Sequence, residues 1–354
     1  MLNHDFFAIG MMSGTSLDGV DLVYVHFNTN GKYRFEILHS ETISYEKQWQ
    51  KKLKDAYNSS EDLDSLNEEY GRFLGNLISR FIEKHKILKI DFVASHGHTI
   101  FHQPENGFTL QIGDGQQISN ITNLKVICDF RSQDVALKGQ GAPLVPIGDR
   151  LLFNDYDYCL NLGGFANISY EEDGNRIAND VCPVNIVLNH YVQKLGYNYD
   201  NHGLIASKGI CNMELLHELN HVPYYSESPP KSLGLEWVKT NIFPLIDGYD
   251  IEIKDILRTF IEHVSIQISN LFQEEGKLVL VTGGGVFNEF LVSKTIQKSK
   301  AIMIIPDKEI IEFKEALIFA FLGLLKIKEK VNVLSSVTGA KKDHSSGQIF
   351  IPKN

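Results

Sequence analysis

Three segments of the chain set glycine among small polar residues. They are Gly10-Met11-Met12-Ser13-Gly14-Thr15-Ser16-Leu17-Asp18-Gly19, Asn161-Leu162-Gly163-Gly164-Phe165-Ala166-Asn167, and Thr282-Gly283-Gly284-Gly285-Val286-Phe287-Asn288. Glycine lets a backbone approach a ligand closely and adopt positive φ, so that successive amides can point at phosphate oxygens. The hydroxyls of Ser13, Thr15 and Ser16 add hydrogen bonds, and Asp18 is a carboxylate able to hold a metal ion or its waters. Each segment alone reads equally as a tight β-turn. None carries the Gly-Lys-Ser/Thr of a Walker loop, and none has GxGxxG spacing. His96, His98 and His102 cluster in one short stretch, but no cysteine or carboxylate falls at matching metal-ligand spacing.

The elements that must position these residues alternate. Phe6–Ile9 is an apolar run entering the first glycine turn, Asp21–Phe27 is rich in valine and aromatics, and a further strand is expected over Tyr33–Ser44. Leu63, Leu66, Tyr70, Phe73, Leu74, Leu77 and Phe81 fall at three- and four-residue spacing, which predicts one amphipathic helix started near Ser59 or Ser60. Four short apolar segments run straight into polar or glycine-rich loops: Phe92–Ala94, Val126–Cys128, Tyr158–Leu160 and Leu278–Val281. Helical periodicity returns near Val184–Leu195, Ile256–Phe272 and Phe313–Ile327. Strands alternating with helices imply an α/β protein whose ligands bind beyond the carboxyl ends of the strands.

Composition bounds what such a protein does. Among 354 residues, 34 Lys and Arg stand against 44 Asp and Glu, a net charge of −10. That balance argues against nucleic acid or an anionic membrane as the main partner, and leaves an anionic small ligand to be held by backbone amides or a metal. No run approaches membrane-span length, and Met1–Asp5 has neither a basic segment nor a long apolar stretch, so no secretory signal is expected. Cys128, Cys159, Cys182 and Cys211 are widely spaced, which reads as free thiols in a reducing cytoplasm.

Two glycine hairpins, one early and one mid-chain, followed by a glycine turn entering a helix, resemble the actin-like, hexokinase-like and heat-shock-ATPase-like superfamily. The resemblance sharpens on longer motifs: GMMSGTSLDGVD at Gly10–Asp21, the stretch Ser95–Pro104, Leu110–Gly115, Asp129–Ala136, GQGAPLVP at Gly139–Pro146, NLGGFANIS at Asn161–Ser169, TGGGVFN at Thr282–Asn288, and Ser336–Ala340. Together they resemble the anhydro-N-acetylmuramic acid kinases from near the start of the chain almost to its end. The resemblance implies an α/β fold of two actin-like ATPase (ribonuclease H-like) domains with an interdomain cleft. Domain one is expected over 1–125 plus 337–354, and domain two over 126–336. It further implies a cytoplasmic homodimer that uses ATP and Mg2+. Such an enzyme hydrolytically opens 1,6-anhydro-N-acetylmuramic acid and phosphorylates O6, giving N-acetylmuramic acid 6-phosphate and ADP in cell-wall recycling. Kinase action on another amino sugar, or nucleotide binding without kinase activity, stay open as alternatives.

The same resemblance assigns roles. Ser13, Gly14, Thr15, Ser16, Leu17, Asp18, Gly19 and Val20 form the first phosphate loop, with Asp18 on the metal side. Asp21 is structural or shares the metal's surroundings. Gly163, Gly164 and Asn167 form the second phosphate loop, and Gly283, Gly284, Gly285 and Asn288 the adenosine loop. The catalytic base is Asp180, opening Asp180-Val181-Cys182-Pro183-Val184-Asn185 where the family usually reads Asp-Thr-Gly-Pro-Gly-Asn. The other reading of Asp180 is a helix N-cap. The missing glycines raise the expectation that Cys182 and Val184 crowd the phosphates or force a different loop path. His96, His98 (glutamine in most of the family), Asp114, Arg131, Gln140, Gly141 and Glu315 are expected at the sugar, with Glu315 reading equally as a solvated glutamate on its helix face. There Arg131 either grips the lactyl carboxylate or forms an ordinary pair with Asp134.

Overall fold

The computed structural model describes residues 4–14, 17–56 and 62–353. Its strands, in chain order, are β1 (Asp5–Ser13), β2 (Gly19–Asn28), β3 (Arg34–Ser44), β4 (Phe92–Ser95), β5 (His98–Gln103), β6 (Phe108–Ile112), β7 (Val126–Cys128), β8 (Tyr158–Leu162), β9 (Phe165–Glu172), β10 (Asn175–Pro183), β11 (Leu278–Thr282), β12 (Ile302–Ile304) and β13 (Gln348–Phe350). Two compact units result, Met1–Leu152 with Phe313–Asn354, and Phe153–Glu312.

The first unit holds a six-stranded sheet in the order β13-β7-β4-β1-β2-β3 and the separate hairpin β5–β6. β1 pairs antiparallel with β2 and parallel with β4, and β4 pairs parallel with β7. A strand hydrogen-bonded on both sides and covered on both faces must be apolar, and Ala8, Ile9 and Met11 are fully buried. The helix Leu63–His85 lays Leu66, Tyr70, Leu74, Leu77, Ile78 and Phe81 into the core of this unit. Each such side chain contributes about 1.5–3 kcal/mol on burial. Its N-cap is Asp62, whose carboxylate accepts from the amides of Asp64 and Ser65, rather than the serines expected from sequence; Ser59 and Ser60 lie outside the described residues.

The helix Lys308–Ile327 is apolar all round from Ala316 to Leu325, as a helix enclosed by its unit must be. It runs close against β1 at Gly10, where an added Cβ would stand 2.1 Å from the carbonyl oxygen of Ala316 and 2.8 Å from the Cβ of Ala320. No side chain fits there without moving the helix.

The second unit has five strands in the order β10-β9-β8-β11-β12, with β8–β9 and β9–β10 antiparallel and β8–β11 and β11–β12 parallel. Strand for strand this repeats β3-β2-β1-β4-β7 of the first unit. Each unit is therefore an α/β domain of the actin-like, ribonuclease H-like type. Its core gathers around Leu160, Val187, Leu257, Phe260 and Val281.

The compact units divide the chain differently from the expected boundaries. β7 bonds β4 through Val93↔Val126 and Ala94↔Ile127, and β13 bonds β7, so residues 126–152 stay with the first unit. The second boundary falls inside the helix Lys308–Ile327, so residues 313–336 join the first unit as well. Short strands without a glycine signal gave no hint of this pairing.

Candidate functional site

In the second unit, three loops gather at the carboxyl ends of β8 and β11, which lie side by side and parallel. Among the described residues the turn after β8 is held by backbone bonds: Gly163 N–H donates to Phe165 O, while Val184 and Ile186 donate to Gly164 O at 2.8 and 3.2 Å and Asn185 to Gly163 O. Thr282 opens the third turn, and Gly283 takes φ 86°, where its missing Cβ would stand 2.7 Å from Asn161 Oδ1. Gly285 faces Leu162 just as closely. Gly164 and Gly284 differ: a Cβ at Gly164 would meet only Ile186 at 3.9 Å, and one at Gly284 nothing within 4 Å. No neighbour among the described residues requires glycine at either place, so their backbones are open to the approach of a ligand. Asn288 caps the helix Glu289–Lys298, accepting from Leu291 N at 3.0 Å.

Asp180 sits in β10, opposite Asn167 of β9, at an irregularity between Asp180 and Cys182. It caps no helix; the residue before the helix Asn185–Gln193 is Val184. One carboxylate oxygen, Oδ2, accepts from Leu233 N at 2.8 Å, and the strand around it is steadied by Tyr224 Oη donating to the carbonyl of Asp180. The other oxygen has no partner among the described residues. Burial raises the carboxyl above its ordinary 3.8, opposed by the Leu233 amide. A half-buried carboxylate with one free oxygen and a raised pKa is a better proton acceptor than an exposed aspartate.

The crowding expected from the lost glycines does not arise. Cys182 and Val184 are both fully buried in the core of this unit, and Val184 has φ −131°, so no left-handed conformation is needed. The thiol of Cys182 is inert by burial, which pushes its pKa far up.

In the first unit, β1, β4 and β7 end together, and the expected residues cluster beyond those ends. Ser13 closes β1 but is only 1% exposed. Its Oγ lies 2.6 Å from Tyr45 Oη, 2.7 Å from Tyr70 Oη and 3.2 Å from His98 Nδ1, and the two phenols are 2.5 Å apart. That hydroxyl is committed to buried partners instead of projecting toward a phosphate. Thr15 and Ser16 lie outside the described residues. Leu17 has φ 59°, Gly14 is half-buried, and Val20 is a core residue. Gly19 pairs with Ser44 of β3. Asp18 is exposed and, with Leu17, Lys47, Gln50, Lys51 and Lys54, lines an open cavity of about 450 Å3. Asp21 accepts from Thr42 Oγ1.

Arg131 makes no hydrogen bond to Asp134. Its Nε and Nη2 both approach His96 Nε2, at 3.1 and 2.9 Å, and Nη1 donates to Gly141 O. His96 Nδ1 lies 2.8 Å from Gly97 O, which accepts, so the ring is neutral with its proton on Nδ1 and its lone pair toward the guanidinium. Burial and the adjacent Arg131 both hold the His96 pKa well below its ordinary value. Burial lowers Arg131 itself to about 10, opposed by Glu315 and Asp134. Of five guanidinium N–H groups, three are used, and the other two have no partner among the described residues.

Asp134 does a different job. Fully buried, it accepts from Thr338 Oγ1 and Gly141 N, both at 2.7 Å, and Gly139 N donates to its carbonyl. One carboxylate thus ties together the stretches 129–136, 139–146 and 336–340. Gln140 N–H donates to Thr338 O. Asp114, expected at the sugar, is the N-cap of the helix Gly115–Thr122, accepting from Gln117 N at 2.7 Å. Glu315 is exposed on its helix and within electrostatic reach of Arg131.

Tyr45, Tyr70 and Leu233 were not singled out from sequence. Tyr70 reads as core in a helical stripe, and Leu233 acts only through its backbone amide, which has no sequence signal.

The family model for anhydro-N-acetylmuramic acid kinase matches residues 6–352. Relatives bearing that name from Sulfurimonas denitrificans and Mannheimia succiniciproducens are each 32% identical, covering 97% of this chain and 99% and 98% of their own. One from Francisella tularensis subsp. novicida is 33% identical over 97% of this chain and 98% of its own. Among solved structures, the activator of 2-hydroxyisocaproyl-CoA dehydratase from Clostridium difficile aligns over 92% of this chain and 96% of its own. It is 15% identical with a TM-score of 0.45, too remote to bear on function. By the family model and by relatives matched over nearly their full length, the chain belongs to the anhydro-N-acetylmuramic acid kinase family.

Proposed function

We propose that this protein is an ATP-dependent kinase of 1,6-anhydro-N-acetylmuramic acid, working in cell-wall recycling. The observation that carries the proposal beyond family membership is Asp180, a half-buried carboxylate with one oxygen held by Leu233 and the other free. In this reading the free oxygen takes a proton from water as the water attacks the anomeric carbon. The bond from that carbon to the bridging O6 breaks. O6 then attacks the γ-phosphorus of ATP, ADP departs, and the products are N-acetylmuramic acid 6-phosphate and ADP. A raised pKa makes Asp180 a stronger base than an exposed aspartate, and general-base assistance of this kind contributes about 100- to 10,000-fold.

The chain's other residues bind and orient. The bare backbones of Gly164 and Gly284 accommodate nucleotide oxygens, while Gly283 and Gly285 keep the turn's shape. The remaining N–H groups of Arg131 hold the lactyl carboxylate, with Glu315, Gln140 and Gly141 nearby in the chain's first unit. Asp18, exposed and without a partner among the described residues, is the carboxylate this reading takes from the family for a magnesium ion, although Lys47, Lys51 and Lys54 beside it favour an anion such as phosphate more than a bare cation. When bound, that ion would neutralise phosphate charge. The free cysteines suit a reducing cytoplasm, and a homodimer is the assembly this reading takes from the family.

A coupled ADP-release assay with and without the anhydro sugar tests the proposal. Sugar-dependent ADP release is expected. Release with another amino sugar alone would move the substrate, and nucleotide binding without turnover would remove the kinase assignment.

A further inference from the structure

Asp180 lies on the outermost strand of its sheet, and one later segment takes up what that edge leaves open. β10 ends the strand order of the second unit. Asp180 pairs with Asn167 and Cys182 with Ala166, so Val181 is an extra residue in the ladder. A bulge of this kind loosens the hold of β9 on the base and re-aims the side chains beside it. An edge strand also presents backbone groups that the sheet does not pair. At Asp180 these are met by residues 224–233. Its N–H donates to Lys231 O at 3.1 Å. Its carbonyl accepts from Tyr224 Oη at 2.8 Å and from Asn179 Nδ2 at 3.1 Å. Its Oδ2 accepts from Leu233 N at 2.8 Å. Backbone donor, backbone acceptor and side chain are all tied to the same stretch.

That stretch is closed by a side chain. Tyr224 is buried, with its ring 5.2 Å from that of Trp237, which anchors one end in the core of the unit. Residues 226–230 are all exposed and give the core no grip on the other end. Lys231 supplies the link. Its Nζ donates at 3.0 Å to Tyr224 O, which also accepts from Glu227 N, and it lies 4.6 Å from the centre of the Tyr224 ring. One ammonium thus makes a charge-assisted hydrogen bond and a cation–π contact. Tyr224 and Lys231 each hold the backbone of Asp180, and Lys231 holds Tyr224. What opposes burial at the Asp180 carboxyl is the Leu233 amide and not this ammonium, so Lys231 acts on geometry.

We propose that residues 224–233 form a strap that aims the Asp180 carboxylate, and that Lys231, by closing the strap, is a positioning residue for proton transfer. This rests on Asp180 being the base of the proposed kinase reaction. Without the ammonium the exposed span regains freedom, and the Leu233 amide, two residues past Lys231, is no longer held against Oδ2. The carboxylate then drifts from the water it must deprotonate, and a misplacement of about 1 Å can cost about 100-fold in rate. It also loses the amide that favours its ionised form, so its pKa climbs further. Cys182 on the same strand and Tyr224 on the strap interact with this carboxylate, and burial pushes both far up, while Glu227 faces Lys231. Neither the thiol nor the phenol therefore titrates in the range of the carboxyl.

The first test needs no substrate. In ligand-free, full-length protein carrying 13C-labelled aspartate, the Asp180 carboxyl, assigned by its loss in Asp180→Asn, is titrated by NMR. Its pKa is expected to be higher in Lys231→Met than in the wild type. Lys231→Arg, which can still donate to Tyr224 O from above the ring, is expected to restore it. An unshifted pKa in Lys231→Met would overturn the strap whatever the substrate. In turnover, Lys231→Met is expected to lower kcat about tenfold, with the KM for ATP unchanged, while Lys231→Arg stays within about threefold. The acid limb of kcat/KM should move to higher pH in Lys231→Met alone. Tyr224→Phe removes the hydroxyl on the Asp180 carbonyl, spares the cation–π contact, and should lower kcat by a smaller factor. Wild-type kcat in both Lys231→Met and Tyr224→Phe, with Asp180→Asn inactive, would remove the positioning role and leave the base standing. An active Asp180→Asn would instead remove the base and, with it, the catalytic meaning of the strap.

Discussion

The two units share one strand order but hold their first glycine turn by different means. In the first unit, the turn after β1 is anchored by side chains: the Ser13 hydroxyl is enclosed by Tyr45, Tyr70 and His98. In the second, among the described residues, the turn after β8 is anchored by backbone amides donating to Gly163 and Gly164. The key carboxylates differ in the same way. Asp134 of the first unit has both oxygens bonded and is fully buried, while Asp180 of the second keeps one oxygen free. A satisfied carboxylate organises loops; one with a free oxygen can exchange a proton. Equal topology therefore says little about where the chemistry lies, because reactivity follows unsatisfied groups more than sheet order.

Asp180→Asn should have the largest effect. It is expected to lower kcat at least about 100-fold while the KM for ATP stays nearly constant. In the wild type, kcat/KM should fall as pH drops through a value above 3.8, because the base must be ionised and burial raises its pKa. Stability runs the opposite way. The folded state binds this proton more tightly than the unfolded chain, so ionising Asp180 weakens the fold as pH rises through that raised value. Turnover within a few-fold of wild type in Asp180→Asn would remove the contrast with Asp134.

Asp134→Ala attacks the other side of the comparison. It leaves the Gly141 amide unpaired in a buried place and the Thr338 hydroxyl with only its long 3.4 Å contact to Leu334 O, and should cost about 3 kcal/mol in denaturant unfolding. A loss under about 1 kcal/mol would mean that water replaces the carboxylate and that the three stretches are held by something else.

Ser13→Ala should cost about 2 kcal/mol, since two phenols and an imidazole lose their shared partner. An unchanged melting temperature would show that the two tyrosines suffice. The smallest structural effect is expected from Gly164→Ala, within about 0.5 kcal/mol of wild type, because the added methyl meets only Ile186 at 3.9 Å. Its KM for ATP should nevertheless rise several-fold. A normal KM would sharpen the comparison differently, by leaving Gly284 as the open backbone position of this unit.

Much of the fold was legible in local spacing. The stripe from Leu63 to Phe81 and the apolar runs entering glycine turns became a helix and strand ends, since 3.6- and 2-residue periods leave a local trace. Helix starts were less legible, as Asp62 illustrates, and the boundary at 125/126 failed because β7, three residues long, belongs to whichever sheet it finds. The motif that Asp180 opens singled it out in sequence, but the bond of one oxygen to the Leu233 amide, with no partner for the other among the described residues, left no such trace.

By itself the sequence determined the order of the motifs, the family they mark and the residues able to do chemistry, because these depend on residue type and short spacing. Only the tertiary structure decided which of them are free to act. It turned Asp114 into a helix cap, sank Cys182 and Val184 into a core, and brought Tyr45 and Tyr70 to Ser13 from 32 and 57 residues away. A polar group's availability is what remains after its partners are counted, and those partners are set by packing across the chain, where sequence spacing carries no record of them.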